Sequence, residues 1–250
     1  MKQTRNIMGM PVVIEIVDGT KESQEKIFNY LVEIDKKFST YKTNSEISKI
    51  NRGEITEEQY SSQMKEVLTL CGETKYVSKG YFDICTPEGI LDPSGLVKGW
   101  AIRNAARLAQ SFGHENFWIE AGGDIQTLGI NSEGGEWRVG IRNPYNTNEI
   151  IKVVYPRGAG IATSGTIERG NHIYNPHTLE SAISDLISLT VIGTDVYEAD
   201  RFATAAFAMG TDGLLFIERL PWCEAYAVNT HGVATMTSNF VRYLTASDLG

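Results

Sequence analysis

Residues 91–99 combine a carboxylate, a lysine and several small residues just before an amphipathic run; Asp92 and Lys98 are the charged members. A carboxylate, a lysine and backbone amides near a helix start suit a phosphate held together with a divalent cation. The same pattern also fits an ordinary helix with an N-capping aspartate and a solvated lysine. The segment matches neither the P-loop nor the dinucleotide-binding glycine pattern, so these residues alone leave both interpretations open.

A second pair of candidate ligands, Asp200 and Thr204, lies four residues apart in the run 195–210. We expect this run to form a helix that ends at Gly210, so that both side chains project from one side. Carboxylate and hydroxyl oxygens are hard ligands that suit Mg²⁺. The alternative is an aspartate favoured near a helix start by the helix dipole, with a threonine beside it.

Other chemistry-bearing residues stand next to predicted turns. Gly122 and Gly123 precede Asp124 and would let the backbone approach a ligand closely. Ser164 follows a predicted strand, but no G-x-S-x-G elbow or neighbouring base supports a serine hydrolase. His172 stands beside a tight turn, where a lone histidine is more often structural than catalytic.

Apolar periodicity predicts the elements that must position these residues. Helical spacing covers 22–37, 57–77, 96–112 and 195–210, and a short helix follows residue 212. Apolar, β-branched runs predict strands at 11–17, 117–119, 137–144, 150–155, 159–163, 186–192, 224–228 and 233–236. The segment 80–87 is expected to be strand-like and 38–51 to be a polar loop. Because no regular βαβ alternation is present, we expect one α+β domain over 1–250, with mixed, largely antiparallel sheets and packed helices.

The composition is that of a globular protein, since the chain has 250 residues, 42% of them hydrophobic and 22% charged. The net charge of −8 argues against non-specific nucleic-acid binding, so an anionic ligand would need a local basic group or a metal ion. Three dispersed cysteines indicate neither a disulfide framework nor a thiolate zinc site. No signal segment or membrane-length run is visible. We therefore expect a cytoplasmic protein, or an exported one whose leader has been removed.

Taken in chain order, the motifs resemble those of the ApbE family, the FAD:protein FMN transferases. The resemblance extends from Met8 to Gly210, and its strength lies in the order of short motifs that are not specific singly. These motifs are Met8-Gly9-Met10, FSTYKTNSEISKIN at 38–51, Gly80-Tyr-Phe-Asp83, DPSGLVKG at 92–99, EAGGD at 120–124, Thr163-Ser164-Gly165, HIYNP at 172–176 and ADRFAT at 199–204.

The resemblance implies a Mg²⁺ site and an FAD site in a cleft between two intimate lobes. It assigns to Mg²⁺ the side chains of Asp200 and Thr204 and the backbone carbonyl of Gly95. The residues implied for FAD are Met8, Tyr41, Phe82, Asp83, Asp92, Lys98 and Ile187, with Asp124, Thr163 and Ser164 at the edge of the same cleft.

The implied reaction is Mg²⁺-dependent transfer of the FMN moiety of FAD to a Thr or Ser hydroxyl of a target flavoprotein, with release of AMP. Asp200 and Lys98 would hold the metal and the phosphates, and we hypothesise that His172 is the general base because imidazole is poised near neutral pH. Two alternatives are an FAD pyrophosphatase, in which water replaces the protein hydroxyl, and a non-catalytic FAD-binding protein. Family members modify subunits of sodium-pumping NADH:quinone oxidoreductase or Rnf-type complexes; a homodimer is left open.

Two features depart from the family pattern. Relatives commonly follow H-I-x-D-P with x-T-G-x-P, whereas this chain has His177-Thr-Leu-Glu-Ser181, which leaves the choice of acceptor open. Many members are exported lipoproteins, whereas no export signal is visible here. A branch of the family that serves a cytoplasmic flavoprotein would explain this difference, as would a removed leader.

Overall fold

The computed structural model of the chain describes residues 1–166, 175–178 and 186–245. The helices are α1 (Lys21–Phe38), α2 (Glu46–Asn51), α3 (Ser62–Val77), α4 (Ser94–Ser111), α5 (Val196–Ala208) and α6 (Asp212–Glu218). The strands are β1 (Lys2–Ile7), β2 (Met10–Ile16), β3 (Phe117–Ala121), β4 (Asp124–Leu128), β5 (Val139–Asn143), β6 (Asn146–Val154), β7 (Gly160–Gly165), β8 (Leu186–Gly193), β9 (Cys223–Asn229) and β10 (Ala234–Met236). Short 3-10 turns cover Glu57–Gln59 and Phe240–Tyr243.

Eight of the described strands form one sheet in the order β1-β2-β3-β4-β7-β8-β9-β10, while β5 and β6 pair in a separate hairpin. Every pairing in the large sheet is antiparallel. The expectation of an α+β fold with largely antiparallel sheet is therefore confirmed. The single domain over 1–250 and the two lobes stay predictions.

Both faces of the large sheet are covered. Leu189 and Val191 of β8 belong to the apolar cluster that contains Phe202 of α5, whereas Ile192 belongs to a cluster with Phe240 of the second 3-10 turn. Successive strand residues point to opposite faces, so a strand buried on both sides must be apolar throughout. This explains the continuous apolar run at 186–192. A third cluster packs β1, β2 and β3 against α1, α3 and α4.

The two helices that carry the candidate ligands begin and end as the sequence predicts. Helix α5 starts after Asp195, whose side chain accepts the Glu198 N–H at 3.1 Å, and Gly210 follows its end with φ +65°. Helix α4 is followed by Gly113 at φ +84°, a backbone conformation that glycine adopts without a Cβ clash. No helix in the described ranges has the length and apolarity needed to cross a membrane.

Several expectations for the first hundred residues were wrong. The segment 80–87 forms turns and bends, with one isolated bridge from Cys85 to Leu91. Gly80, at φ +87°, turns the chain after α3, and Asp83 turns it again by accepting the Cys85 N–H. The expected loop at 38–51 contains α2, which Ser45 caps by accepting the Ser48 N–H at 3.1 Å.

The expected helix at 57–77 is in fact a 3-10 turn followed by α3, which starts after the capping residue Ser61. Strand β1 was missed because its run, KQTRNI, is largely polar. Among the described strands it pairs with β2 alone, at the edge of the sheet, and an edge strand needs little apolar surface.

Candidate functional site

Helices α4 and α5 approach each other closely where Gly99 faces Asp200. A Cβ on Gly99 would lie 2.6 Å from the Cβ of Asp200 and 2.7 Å from the backbone oxygen of Val196. Without that Cβ, the Gly99 N–H donates to Asp200 Oδ2 at 2.7 Å. The glycine therefore lets the backbone of α4 fix the orientation of a carboxylate that is only 4% exposed.

One helical turn further along, the Thr204 hydroxyl donates to the backbone carbonyl of Gly95 at 3.3 Å. Gly95 is also crowded: a Cβ there would lie 3.2 Å from Thr204 Cγ2 and 3.4 Å from the ring of Phe82. The two helices thus bring together a carbonyl oxygen from α4 and a hydroxyl and a carboxylate from α5. Gly95 and Thr204 are 109 residues apart in the sequence, so only the fold makes them neighbours.

Lys98 of α4 lies between two carboxylates. Its Nζ is 2.7 Å from Asp124 Oδ2 and 3.8 Å from Asp200 Oδ1. Asp124 begins β4 directly after a two-residue turn in which Gly122 and Gly123 have φ +55° and +84°, and positive φ at both positions is the conformation of the favoured hairpin turns. The other oxygen of Asp124 accepts the Thr163 N–H of β7 at 3.3 Å.

Burial raises the pKa of the Asp124 carboxyl well above its usual range; the Lys98 ammonium opposes this shift and the Asp200 carboxylate adds to it. The residue is 1% exposed, so water stabilises its charge very little. The ionised form of Asp124 therefore depends on its contact with Lys98.

The donor set at the α4–α5 crossing fits a hard divalent cation. In the described part of the chain, no cluster of three or more His, Cys, Asp or Glu side chains could hold a metal ion. The candidate ligands here are a backbone carbonyl oxygen of Gly95, a carboxylate oxygen of Asp200 and the hydroxyl oxygen of Thr204. This set is compatible with Mg²⁺, because Mg²⁺ keeps several waters and takes few protein ligands. Lys98 adds the positive charge that a phosphate beside such an ion requires.

The loop that leads into α4 carries three other predicted residues. Phe82 is 3% exposed and its ring lies next to Gly95. Asp83 pairs with Lys75 at 2.6 Å and accepts the Cys85 N–H at 3.0 Å, and Asp92 accepts the Ser94 N–H at 3.0 Å. In this structure both carboxylates thus stabilise turns.

The remaining predicted FAD residues lie on separate elements. Met8 is half-buried in the β1–β2 turn at φ +57°, and Tyr41, between α1 and α2, is 96% exposed. Ser164 is buried in β7, and Ile187 lies in β8 at an irregularity of its pairing with β9. Their assignment to FAD stays a prediction.

Thr163 presents its backbone, rather than its hydroxyl, to Asp124. Its hydroxyl lies 2.8 Å from the hydroxyl of Thr190 on β8, the residue directly opposite it in the sheet. Thr163 and Thr190 thus tie β7 to β8 beside the Lys98 cluster.

His172 lies outside the described residues. The short described stretch 175–178 contains His177, whose Nε2 lies 3.1 Å from the backbone oxygen of Lys79 and whose ring packs edge-on against Tyr81 at 4.5 Å. His177, the first residue of the segment that departs from the family pattern, therefore contacts the turn that precedes Phe82.

The positioning roles of three residues could not be predicted from the sequence. Gly99 appears there only as part of a motif. Asn51 exchanges two hydrogen bonds with the backbone of Leu91, both at 2.9 Å, and so fixes the loop before α4. Gln126 accepts the Val196 N–H at 2.8 Å and ties the start of α5 to the sheet. No local signal marks Gln126, but Asn51 closes the quoted 38–51 motif.

An antiparallel α+β fold with a lysine, two buried carboxylates and a hard-oxygen donor set defines a class of protein suited to an anionic ligand and a divalent cation. The chain belongs to the ApbE family, whose model matches residues 8–88 and 86–227.

Curated relatives are similar over part of their length. The FAD:protein FMN transferase of Vibrio cholerae is 33% identical over 50% of this chain and 40% of its own, and that of Escherichia coli K12 is 30% identical over 58% of this chain and 44% of its own. The match thus spans less than half the length of these relatives. The solved flavin transferase ApbE from Vibrio cholerae has a TM-score of 0.86 over 98% of this chain and 99% of that chain, at 23% identity, which establishes the fold.

Proposed function

We propose that this protein transfers the FMN moiety of FAD to a Thr or Ser hydroxyl of an acceptor flavoprotein and releases AMP. Membership of the ApbE family and the names of its curated relatives support this activity. The observation that carries the proposal is the convergence of Gly95, Lys98, Asp124, Asp200 and Thr204 at one helix crossing.

The reaction exchanges a phosphoanhydride bond for a phosphoester bond. The acceptor hydroxyl oxygen forms a bond to the FMN-side phosphorus of the FAD pyrophosphate, and the bond from that phosphorus to the bridging oxygen breaks. AMP leaves with the bridging oxygen, and the hydroxyl proton passes to a base. The negative charge of the pyrophosphate and of the leaving phosphate is what the site must stabilise.

The residues of the cluster have distinct roles in this proposal. Asp200, Thr204 and the Gly95 carbonyl would hold Mg²⁺, and the Lys98 ammonium would bind a phosphate oxygen directly. When bound, Mg²⁺ would neutralise charge on the pyrophosphate and on the departing phosphate. Because Gly99 and Gln126 fix Asp200 and the start of α5, the carboxylate would need little reorganisation to bind the cation.

The other proposed site residues rest partly on the geometry and partly on family resemblance. The Phe82 ring lies next to Gly95, which supports a flavin or phosphate pocket at the loop 80–92. Met8, Tyr41, Asp83, Asp92 and Ile187 are assigned to FAD by family resemblance. His172 is proposed as the base for the acceptor hydroxyl on the same ground.

A test without acceptor separates the transferase from an FAD pyrophosphatase, which would use the same cluster with water as the nucleophile. We expect protein, FAD and Mg²⁺ to release little AMP until a candidate acceptor fragment is added, after which AMP and acceptor-bound FMN should appear in equal amounts. Free FMN and AMP formed at the full rate without acceptor would identify the hydrolase. Intact FAD in every mixture would mean that the protein binds flavin without catalysing either reaction.

A further inference from the structure

Lys98 has two carboxylates within reach and contacts only one of them closely. Its Nζ lies 2.7 Å from Asp124 Oδ2 but 3.8 Å from Asp200 Oδ1. The side chains of Lys98, Asp124 and Asp200 are 16%, 1% and 5% exposed. Charge pairing in so little water is strong, so which carboxylate holds the ammonium matters for the whole cluster.

Asp200 has one oxygen already engaged. Its Oδ2 accepts the Gly99 N–H at 2.7 Å, which leaves Oδ1 as the oxygen that faces Lys98. A divalent cation bound at Asp200 and an ammonium paired with Asp200 would compete for that oxygen, and the two cations would also repel each other. A lysine that moved about 1 Å toward Asp200 would therefore weaken the cation site.

Asp124 is built to prevent that movement. It follows the Gly122-Gly123 turn, which fixes its backbone, and its Oδ1 accepts the Thr163 N–H of the neighbouring strand at 3.3 Å. Because its carboxyl group is held by the sheet rather than by a flexible loop, it gives the Lys98 ammonium a fixed partner at 2.7 Å, closer than Asp200 Oδ1 at 3.8 Å.

We propose that Asp124 is a positioning residue that keeps the Lys98 ammonium off Asp200 and so leaves Asp200 Oδ1 for the divalent cation. The proposal rests on the proposed function only in assigning the cation to Asp200. It gives the final aspartate of the EAGGD segment a role distinct from contact with FAD, and it makes Lys98 and Asp124 one unit.

The test is a double-mutant cycle read by metal binding. The dissociation constant of Mn²⁺ is measured for the FAD-bound protein from the electron paramagnetic resonance signal of the free ion, with wild type, Asp124→Asn, Lys98→Met and the double variant. We expect Asp124→Asn to weaken Mn²⁺ binding by about tenfold or more when Lys98 is present and by less than about threefold when Lys98 is Met. If Asp124→Asn weakens Mn²⁺ binding by the same factor with Lys98 present and in the Lys98→Met background, Asp124 acts by its charge alone and the proposal is overturned.

Controls separate this result from a general loss of structure. Asp35→Asn removes a carboxylate from another aspartate–lysine pair, with Lys42 at 2.5 Å, and should leave Mn²⁺ binding unchanged. Asp124→Ser repeats the cycle if Asp124→Asn does not fold. A wild-type protein that binds no Mn²⁺ would refute the cation site and this proposal together. FMN transfer to an acceptor, measured separately, tests the proposed function whatever the cycle shows.

Discussion

The contact between Gly99 and Asp200 constrains the proposed cation site directly. A single missing methyl group lets two helices approach until a backbone N–H of one orients a carboxylate of the other. Residue type and spacing made Asp200, Thr204 and Lys98 candidate site residues. They could not reveal the role of Gly99, because Gly99 and Asp200 are 101 residues apart and their contact depends on how α4 packs against α5.

Gly99→Ala should damage both stability and the site. The added Cβ would lie 2.6 Å from Asp200 Cβ and 2.7 Å from a backbone oxygen, so the helices must separate. We expect a loss of about 1–3 kcal/mol in the free energy of unfolding, measured by urea denaturation, and a marked fall in FMN transfer.

The matched control for this substitution is Gly72→Ala in α3, where a new Cβ meets nothing within 4 Å. That change should stabilise the protein by about 0.5–1 kcal/mol, since alanine favours a helix more than glycine does. A Gly99→Ala protein as stable and active as wild type would show that the close approach is not required.

His172→Ala tests the proposed base. We expect transfer of FMN to fall by about 10²–10⁴-fold, the usual contribution of a general base, while FAD binding measured by flavin fluorescence stays close to wild type. His231→Ala, an exposed histidine in the β9–β10 turn, should leave the rate unchanged. Transfer at the native rate by His172→Ala would remove this residue from the mechanism.

At the scale of elements, α5 is anchored by charge as well as by apolar packing. Tyr197 lies between two guanidinium groups, those of Arg103 of α4 at 4.3 Å and Arg201 at 4.6 Å. Arg201 pairs with both oxygens of Glu198 at 2.7 Å and donates to Thr74 of α3 at 3.1 Å. Burial raises the pKa of Tyr197 to about 12, so its ring is neutral near pH 7. Three helices are thus joined beside Asp200.

Arg201→Met should destabilise the fold by about 3 kcal/mol, because it leaves Glu198 largely buried without its ion-pair partner. Arg52→Met removes a similar contact, with Glu54 at 2.7 Å, from the exposed surface and should cost less than about 1 kcal/mol. Urea denaturation of both variants measures the difference. Equal costs at the two positions would show that the buried pair does not anchor α5.

How much of an element the sequence predicts depends on how much apolar surface the element buries. Helices α1, α4 and α5 and strand β8 were predicted because each buries a periodic or continuous apolar face. Strand β1 and helix α2 were not predicted. Strand β1 is a polar edge strand, and α2 is a capped helix of only six residues. The turns at 80–87 were mistaken for a strand because a local apolar, aromatic run does not reveal the positive φ of Gly80.

For the whole molecule, the net charge of −8 means that an anionic ligand must be attracted by local groups at the site rather than by the overall charge. Under the proposed function, an anionic substrate such as FAD would gain no general electrostatic attraction from this protein, so its binding would rely on Lys98 and on a bound cation. The order of motifs along the chain indicated the family, and the family model and the fold agree with it. The acceptor could not be predicted, because no sequence motif reveals which flavoprotein the proposed transferase would modify.

The most direct test of the central claim is the intact mass of a candidate acceptor fragment after incubation with this protein, FAD and Mg²⁺. We predict a mass gain equal to FMN less one water, which disappears with EDTA and with Asp200→Ala. An acceptor that stays unmodified while FAD is converted to free FMN and AMP would contradict the account and establish hydrolysis instead. Transfer that persists in Asp200→Ala with EDTA present would contradict the cation site at the α4–α5 crossing.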